Sequence, residues 1–285
     1  MSVGSIAARS HERKAVTVDR CELFRRLHQS GCFVIPNPWD LGSARALVRL
    51  GFPALATTSS GFAWSLGRRD NQVSLEEALT HMRAIAGGVE VPVNADFEGG
   101  FAVVPEKVAL NVAAATTTGV AGLSIEDSTG DGSRPLFDFE LAVERIRAAR
   151  QAIDDSKTGI VLTGRSEGFI VGRPDLAETI RRLSAYAEAG AECLYAPGIR
   201  TSAEIAAVVE AVAPKPVNVL VGSDFTTVAV LAAAGVRRIS VGGALARAAW
   251  TGFLQAAKEI ADQGTFTSLA AAIRFDEINE SFDLE

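Results

Sequence analysis

Short apolar runs rich in β-branched residues alternate along this chain with longer stretches whose apolar positions recur at helical spacing. The short runs fall at 32–35, 54–57, 91–95, 122–125, 160–163, 192–196, 217–221 and 238–241. Helix-like stretches follow them at 41–50, 74–86, 105–118, 138–153, 174–189, 202–212, 224–234 and 245–261. Regular alternation of this kind predicts parallel strands joined by crossover helices. Eight such units in 285 residues predict an α/β fold of the closed (β/α)8 TIM-barrel type. An open doubly wound sheet uses the same parts, but no GxGxxG follows the first run, which weakens a dinucleotide-binding reading.

Local signals agree with the period. Ser74 and Glu77 have capping-box spacing, and Pro105 and Pro174 suit first-turn positions. Gly51, Gly119, Gly190 and Gly235 each stand between a helical stretch and the next strand, where a C-terminal cap belongs. An additional helix is expected at 18–29, and a last one around 268–273 before an acidic tail. The organisation read from this is a flexible arm over 1–17, one barrel over 18–263 and a helical extension over 264–285.

Composition narrows the function classes. A net charge of −6 gives no broad nucleic-acid footprint and no attraction to anionic membranes. No apolar run approaches the roughly 20 residues of a membrane span, and the first residues lack the apolar core of a secretory signal. Three scattered cysteines, Cys21, Cys32 and Cys193, suit a reducing cytoplasm better than a disulfide framework.

A barrel places its chemistry at the C-terminal ends of its strands. Those positions carry Asn94, Asp96 and Glu98 after strand three, Glu126-Asp127 after strand four, Arg165 after strand five and Tyr195 after strand six. Asp96 and Glu126 on neighbouring strands would share one mouth, and hard oxygen ligands of this kind suit Mg2+. Helix capping is the competing role for Glu126-Asp127. Arg165 suits bidentate capture of a substrate carboxylate, or a structural pair with Glu167 or the acidic cluster. Ser59-Ser60-Gly61 offers hydroxyl and backbone N–H donors, although Ser and Gly are also ordinary turn residues. The Gly/Ser-rich segment 127–136 reads as a mobile lid, with Arg134 either closing on an anion or simply solvated.

Four segments together carry a resemblance: Thr57-Thr58-Ser59-Ser60-Gly61 with Ser65-Leu66-Gly67-Arg68-Arg69-Asp70; Asn94-Ala95-Asp96-Phe97-Glu98-Gly99-Gly100-Phe101; Gly119-Val120-Ala121-Gly122 with Ile125-Glu126-Asp127; and Gly164-Arg165-Ser166-Glu167-Gly168-Phe169. In order and spacing they resemble the serine turn, the DxDxGxG metal loop and the two following strands of the isocitrate lyase/phosphoenolpyruvate mutase superfamily. The resemblance spans about 33–243. It implies Asp96 as metal ligand with support from Glu126, and Asn94 at the loop's first position. It implies Ser60, Gly61 and Arg165 around the substrate, with Asp70 and Arg165 close to the reacting atoms; Ser59 of the serine turn, Arg134 of the loop and Tyr195, a candidate acid beside Asp70 or a water, complete the candidate substrate set. It also implies Mg2+ (Mn2+ as the alternative), a small carboxylate substrate handled as a metal-stabilised enolate, and a homo-oligomer, typically a tetramer with exchanged C-terminal helices.

The departures are specific. The cysteine-bearing KxCGH loop of the isocitrate and methylisocitrate lyases is replaced by Ser128–Leu136, which has no Cys or His. The Lys/Asn gate of the phosphonomutases is missing, Tyr195-Ala196-Pro197 stands where they carry a histidine, and Asn94 replaces an aspartate. Three readings follow: a C–C lyase or decarboxylase, a P–C bond enzyme, and a non-catalytic 2-oxo-acid binder.

Overall fold

The computed structural model describes residues 19–282. The arm expected over 1–17 and the last three residues of the acidic tail lie outside them. Helix α1 (Arg20–Leu27) leads into β1 (Phe33–Ile35) and α2 (Leu41–Arg49). Then come β2 (Leu55–Ala56), α3 (Ser59–Ser65), α4 (Leu75–Gly87), β3 (Val93–Asp96), α5 (Pro105–Thr116), β4 (Gly122–Glu126) and α6 (Phe139–Ser156). The second half runs β5 (Val161–Arg165), α7 (Leu176–Glu188), β6 (Cys193–Tyr195), α8 (Ser202–Ala211), β7 (Val217–Leu220), α9 (Val228–Ala233), β8 (Arg238–Ser240) and α10 (Ala244–Gln263). A 3-10 turn (Thr267–Ala271) and α11 (Phe275–Glu280) follow.

All eight strands are parallel, in the order β1-β8-β7-β6-β5-β4-β3-β2. The short β2 forms no ladder with β1. The seam is closed by single bonds instead: Ala56 N–H donates to the Pro36 carbonyl at 3.0 Å. Asn37 spans the same seam. Its Nδ2 donates to the Thr57 carbonyl at 2.9 Å, and its Oδ1 accepts from Val241 N and Gly242 N at 2.9 and 2.8 Å. One amide thus ties β1 to the chain ends of β2 and β8, so the barrel is nearly closed.

Alternation along the strands sorts the side chains. Leu123, Ile125, Leu162, Leu194, Val219 and Ile239 face outward and join the helices in the main core. Phe33, Ile35, Ala54, Ala56 and Val161 form a separate interior cluster with Phe24 of α1. Phe24 is the plug at the barrel's N-terminal end. A Cβ on Gly122 would lie 2.6 Å from its ring, so the wedge requires glycine there.

The sequence signals locate most boundaries. The Ser74/Glu77 capping box forms, and Pro105 opens α5. The four glycines between helices and strands all have φ between 86° and 108°, the left-handed region that ends a helix. Pro174 does not open α7; Asp175 caps that helix through Glu178 N, and Pro174 lies outside it. Ser59-Ser60-Gly61 is the first turn of α3 rather than a free turn, and the last helix begins at Phe275, after a 3-10 turn.

Candidate functional site

The C-terminal end of the barrel opens into a cavity of about 390 Å³. Arg165, last in β5, sits at its centre. Nη1 lies 2.6 Å from Asp96 Oδ1, Nη2 lies 3.1 Å from Glu126 Oε2 and 3.0 Å from Glu167 Oε1, and Nε donates to Glu167 at 3.0 Å. One guanidinium therefore holds carboxylates from the ends of β3, β4 and β5. The Tyr195 ring supports it from the side, 5.1 Å from Cζ to centroid. The structural pairing foreseen for Arg165 is thus present, in the same place as its candidate substrate role.

Asp96 is oriented from two further directions. Its Oδ2 accepts from Ser59 N at 2.9 Å, and its own N–H donates to Thr57 Oγ1 at 2.9 Å. The Ser59 turn therefore addresses the β3 carboxylate directly. Ser59 and Ser60 line the cavity, as do Asp70, Asn94, Asp96, Glu126, Arg165 and Tyr195. Asn94 is buried, and its Oδ1 has no hydrogen-bond partner.

Two expected residues are elsewhere. Gly61 is packed away from the cavity; its N–H is used by Thr58 Oγ1, and a Cβ there would lie 2.7 Å from Thr58 Cγ2 and 3.0 Å from Trp39 Cβ. Its place is a helix-packing glycine, because α3 begins at Ser59 and carries Gly61 round to the side facing Trp39. Arg134 is exposed, 3.6 Å from Asp138, and borders a neighbouring groove with Arg182. The segment carrying it is a hydrogen-bonded hairpin in this structure, with Ser128 bridged to Leu136 and Thr129 N donating to the Pro135 carbonyl at 3.1 Å.

Asp127, one residue past Glu126, faces the helix layer. It accepts from Tyr186 Oη at 2.6 Å, Glu167 N at 2.8 Å and Arg182 Nη1 at 3.1 Å. These bonds lock α7 to the strand ends and so fix Glu167.

The acidic ring is electrostatically crowded. Burial raises the Glu126 carboxyl well above its usual range, Arg165 opposing and Glu167, Asp96 and Glu98 adding to the rise. Burial likewise raises Glu167, against the pull of Arg165. Desolvation and the Asp96 charge raise Asp70 at the rim. Glu98 is pushed up to about 8 by burial, Asp96 and Asp70. Its backbone is left-handed at φ 45°, an uncommon setting for a non-glycine residue. Burial pushes the Tyr195 phenol up to about 12, so it stays protonated at neutral pH.

The donor set contains only oxygen ligands. Among the described residues no group of three or more His, Cys, Asp or Glu forms a ready-made metal cage. Mg2+ needs none, because it keeps several waters and takes one or two carboxylates directly. The surplus of carboxylates over guanidinium at the mouth therefore fits a hard divalent cation.

Sequence reading passed over Arg145, fully buried in α6. It donates to the carbonyls of Glu126 (3.1 Å), Ala102 (3.0 Å) and Gly99, and lies 3.9 Å over the Phe137 ring. It thereby holds the loop after β3 against the end of β4. An arginine on the apolar face of a predicted helix was the available signal. The cysteines are free, and burial raises the thiol of each, that of Cys21 to about 11. Cys32 precedes β1 instead of lying within it.

A family model described as phosphoenolpyruvate phosphomutase matches residues 24–261. A crystal structure from Burkholderia cenocepacia with a provisional lyase/mutase name is 46% identical, with a TM-score of 0.91, covering 94% of this chain and 98% of that one. The 2-methylisocitrate lyase of Escherichia coli is 36% identical over 159 residues, 53% of this chain and 52% of the relative. A phosphonopyruvate hydrolase structure in complex with oxalate and Mg2+ is 28% identical, with a TM-score of 0.80, covering 92% of this chain and 94% of that one.

Proposed function

Because the chain belongs to the phosphoenolpyruvate phosphomutase family, within the isocitrate lyase/phosphoenolpyruvate mutase superfamily, we propose that it is a Mg2+-dependent enzyme acting on a small 2-oxo acid or related carboxylate, most simply as a C–C lyase or decarboxylase. The observation that carries this reading is the convergence of Asp96, Glu126 and Glu167 on Arg165 inside the barrel-mouth cavity. Asp96 and Glu126 would hold the metal, with Asn94 beneath them. A Mg2+ ion held there would supply Lewis acidity toward a substrate oxo group.

The chain's own residues do the rest. Arg165 orients a substrate carboxylate and neutralises the ring's charge. Ser59 fixes Asp96 through its N–H, while the Ser59 and Ser60 hydroxyls face the substrate. Tyr195, a protonated phenol, and Asp70 both line the cavity and, with a water, are the candidate proton donors to the departing fragment. None of Cys21, Cys32 and Cys193 lines the cavity, which speaks against a thiol acid.

The second reading is P–C bond chemistry, favoured by the similarity to phosphonopyruvate hydrolase. One assay separates the two. Purified protein with Mg2+ is given oxaloacetate, methylisocitrate, alkylmalates and phosphonopyruvate in turn, and 2-oxo acid release is followed with a chelator control. Chelator-sensitive release from a carbon acid is the expected result; release from phosphonopyruvate alone moves the protein to the second reading. No release from any, together with tight binding, would leave a 2-oxo-acid binder.

Self-association belongs to the same proposal. Of α10 only Ala246 is buried, and Leu245, Trp250, Phe253, Leu254, Phe266, Phe275 and Ile278 stand exposed along the C-terminal extension. An apolar face of this extent supports a homo-oligomer, a tetramer by the resemblance. No helix among the described residues is long and apolar enough to cross a membrane. A cytoplasmic location is the reading that suits three free thiols.

A further inference from the structure

Below the acidic ring the cavity reaches a second guanidinium. Arg238, first in β8, is 3% exposed and lines the same cavity as Arg165. Its Nε donates to Asn218 Oδ1 at 2.9 Å, its Nη2 donates to Thr163 Oγ1 at 3.1 Å, and its Nη1 lies 3.3 Å from His28 Nε2. All three partners are neutral. His28 Nδ1 lies 2.8 Å from the Phe24 carbonyl, so Nδ1 carries the proton and Nε2 is left to accept from Arg238. Among the described residues no carboxylate stands within ion-pair distance of Arg238; the ring above is taken by Arg165.

A buried guanidinium is costly without an anion, and its five N–H donors exceed these three acceptors. Asn94, 4% exposed, is part of the same lining. Ser124, Asn218 and Ser240 complete a polar lining. The chamber thus presents a buried cation with spare donors in an otherwise neutral polar lining. Such a guanidinium matches a carboxylate.

We propose that Arg238 is a specificity-determining residue: it takes the second, distal carboxylate of the substrate in the chamber beneath the mouth, so that the protein selects acids that carry such a carboxylate over those, such as pyruvate or oxalate, that have none to reach it. The proposal rests on the functional reading above. Thr163, which Arg238 contacts, lies two positions below Arg165 in β5, roughly 7 Å along the strand. That separation matches the reach of a short dicarboxylate.

Calorimetric titration of the full chain with Mg2+ tests it, using oxalate, pyruvate and 2-oxoglutarate as probes. The wild-type protein is expected to bind 2-oxoglutarate more tightly than pyruvate. Arg238→Met should lower 2-oxoglutarate affinity by about 10- to 100-fold, with oxalate affinity held within about twofold. Retained oxalate binding also shows that the variant is folded. If Arg238→Met does not fold, Arg238→Lys decides. It keeps the charge but lacks the planar fork, so a several-fold selective loss is expected. Equal losses for oxalate and 2-oxoglutarate, unchanged 2-oxoglutarate binding, or a wild-type protein with no preference over pyruvate would each overturn the proposal. Absence of Mg2+-dependent oxalate binding in the wild type would instead overturn the metal reading, and this proposal with it.

Discussion

Arg165 Nη1 lies 2.6 Å from Asp96 Oδ1, which joins the candidate substrate anchor on β5 to the candidate metal ligand on β3 in one charge network. Glu126 on β4, between them, contacts the same guanidinium at 3.1 Å. A change in any member therefore alters the charge felt by the others, and single substitutions will not act independently.

Asp96→Ala is expected to remove metal-dependent turnover, with a loss of about 1,000-fold or more in kcat/KM. The fold should survive, because Arg165 keeps Glu126 and Glu167 as partners. Activity assays alongside circular dichroism check this. Full activity in the variant would remove Asp96 from the mechanism.

Arg165→Ala should weaken both function and stability. It leaves three carboxylates without their shared cation, and breaking such buried pairing costs about 3–5 kcal/mol. The penalty should be greatest at neutral to alkaline pH and ease on acidification, as the crowded carboxyls take up protons. Denaturant unfolding at several pH values, together with kcat/KM, measures this. An unchanged kcat/KM would reduce Arg165 to a structural residue.

His28 provides a pH signature remote from the mouth. Burial, then the Arg238 charge, lowers its pKa from 6.5 to about 3. The unfolded chain therefore binds a proton over this window that the folded chain refuses, and stability falls as pH drops from about 6.5 toward 3. The slope from this group is on the order of 1 kcal/mol per pH unit. His28→Gln should flatten that limb of the stability profile relative to wild type. An identical slope in both proteins would show that His28 is not the group responsible.

Replacing Cys32 and Cys193 together by Ala should leave turnover within about twofold, since the thiols are held protonated and neither lines the cavity. A large loss in a variant with an unchanged melting temperature would reopen a thiol mechanism.

The barrel and most of the ring follow from local patterns along the chain. Apolar runs at strand length, helical periods between them and left-handed glycines at Gly51, Gly119, Gly190 and Gly235 are local properties, so eight parallel units were legible. Strand-end position then singled out Asp96, Glu126 and Arg165, because a barrel gathers all its strand ends at one mouth. The rest depends on packing between segments far apart in the chain. Whether a side chain faces the cavity or the helices depends on strand register, which sends Glu126 inward and Asp127 out to Arg182 and Tyr186. Gly61 left the cavity because α3 starts two residues earlier, and Arg134 because its loop folds on itself. Arg238 was invisible for the opposite reason: at the start of a strand it reads as a surface charge, and only closure of the barrel around Asn218, Thr163 and His28 makes it a buried cation beneath the site.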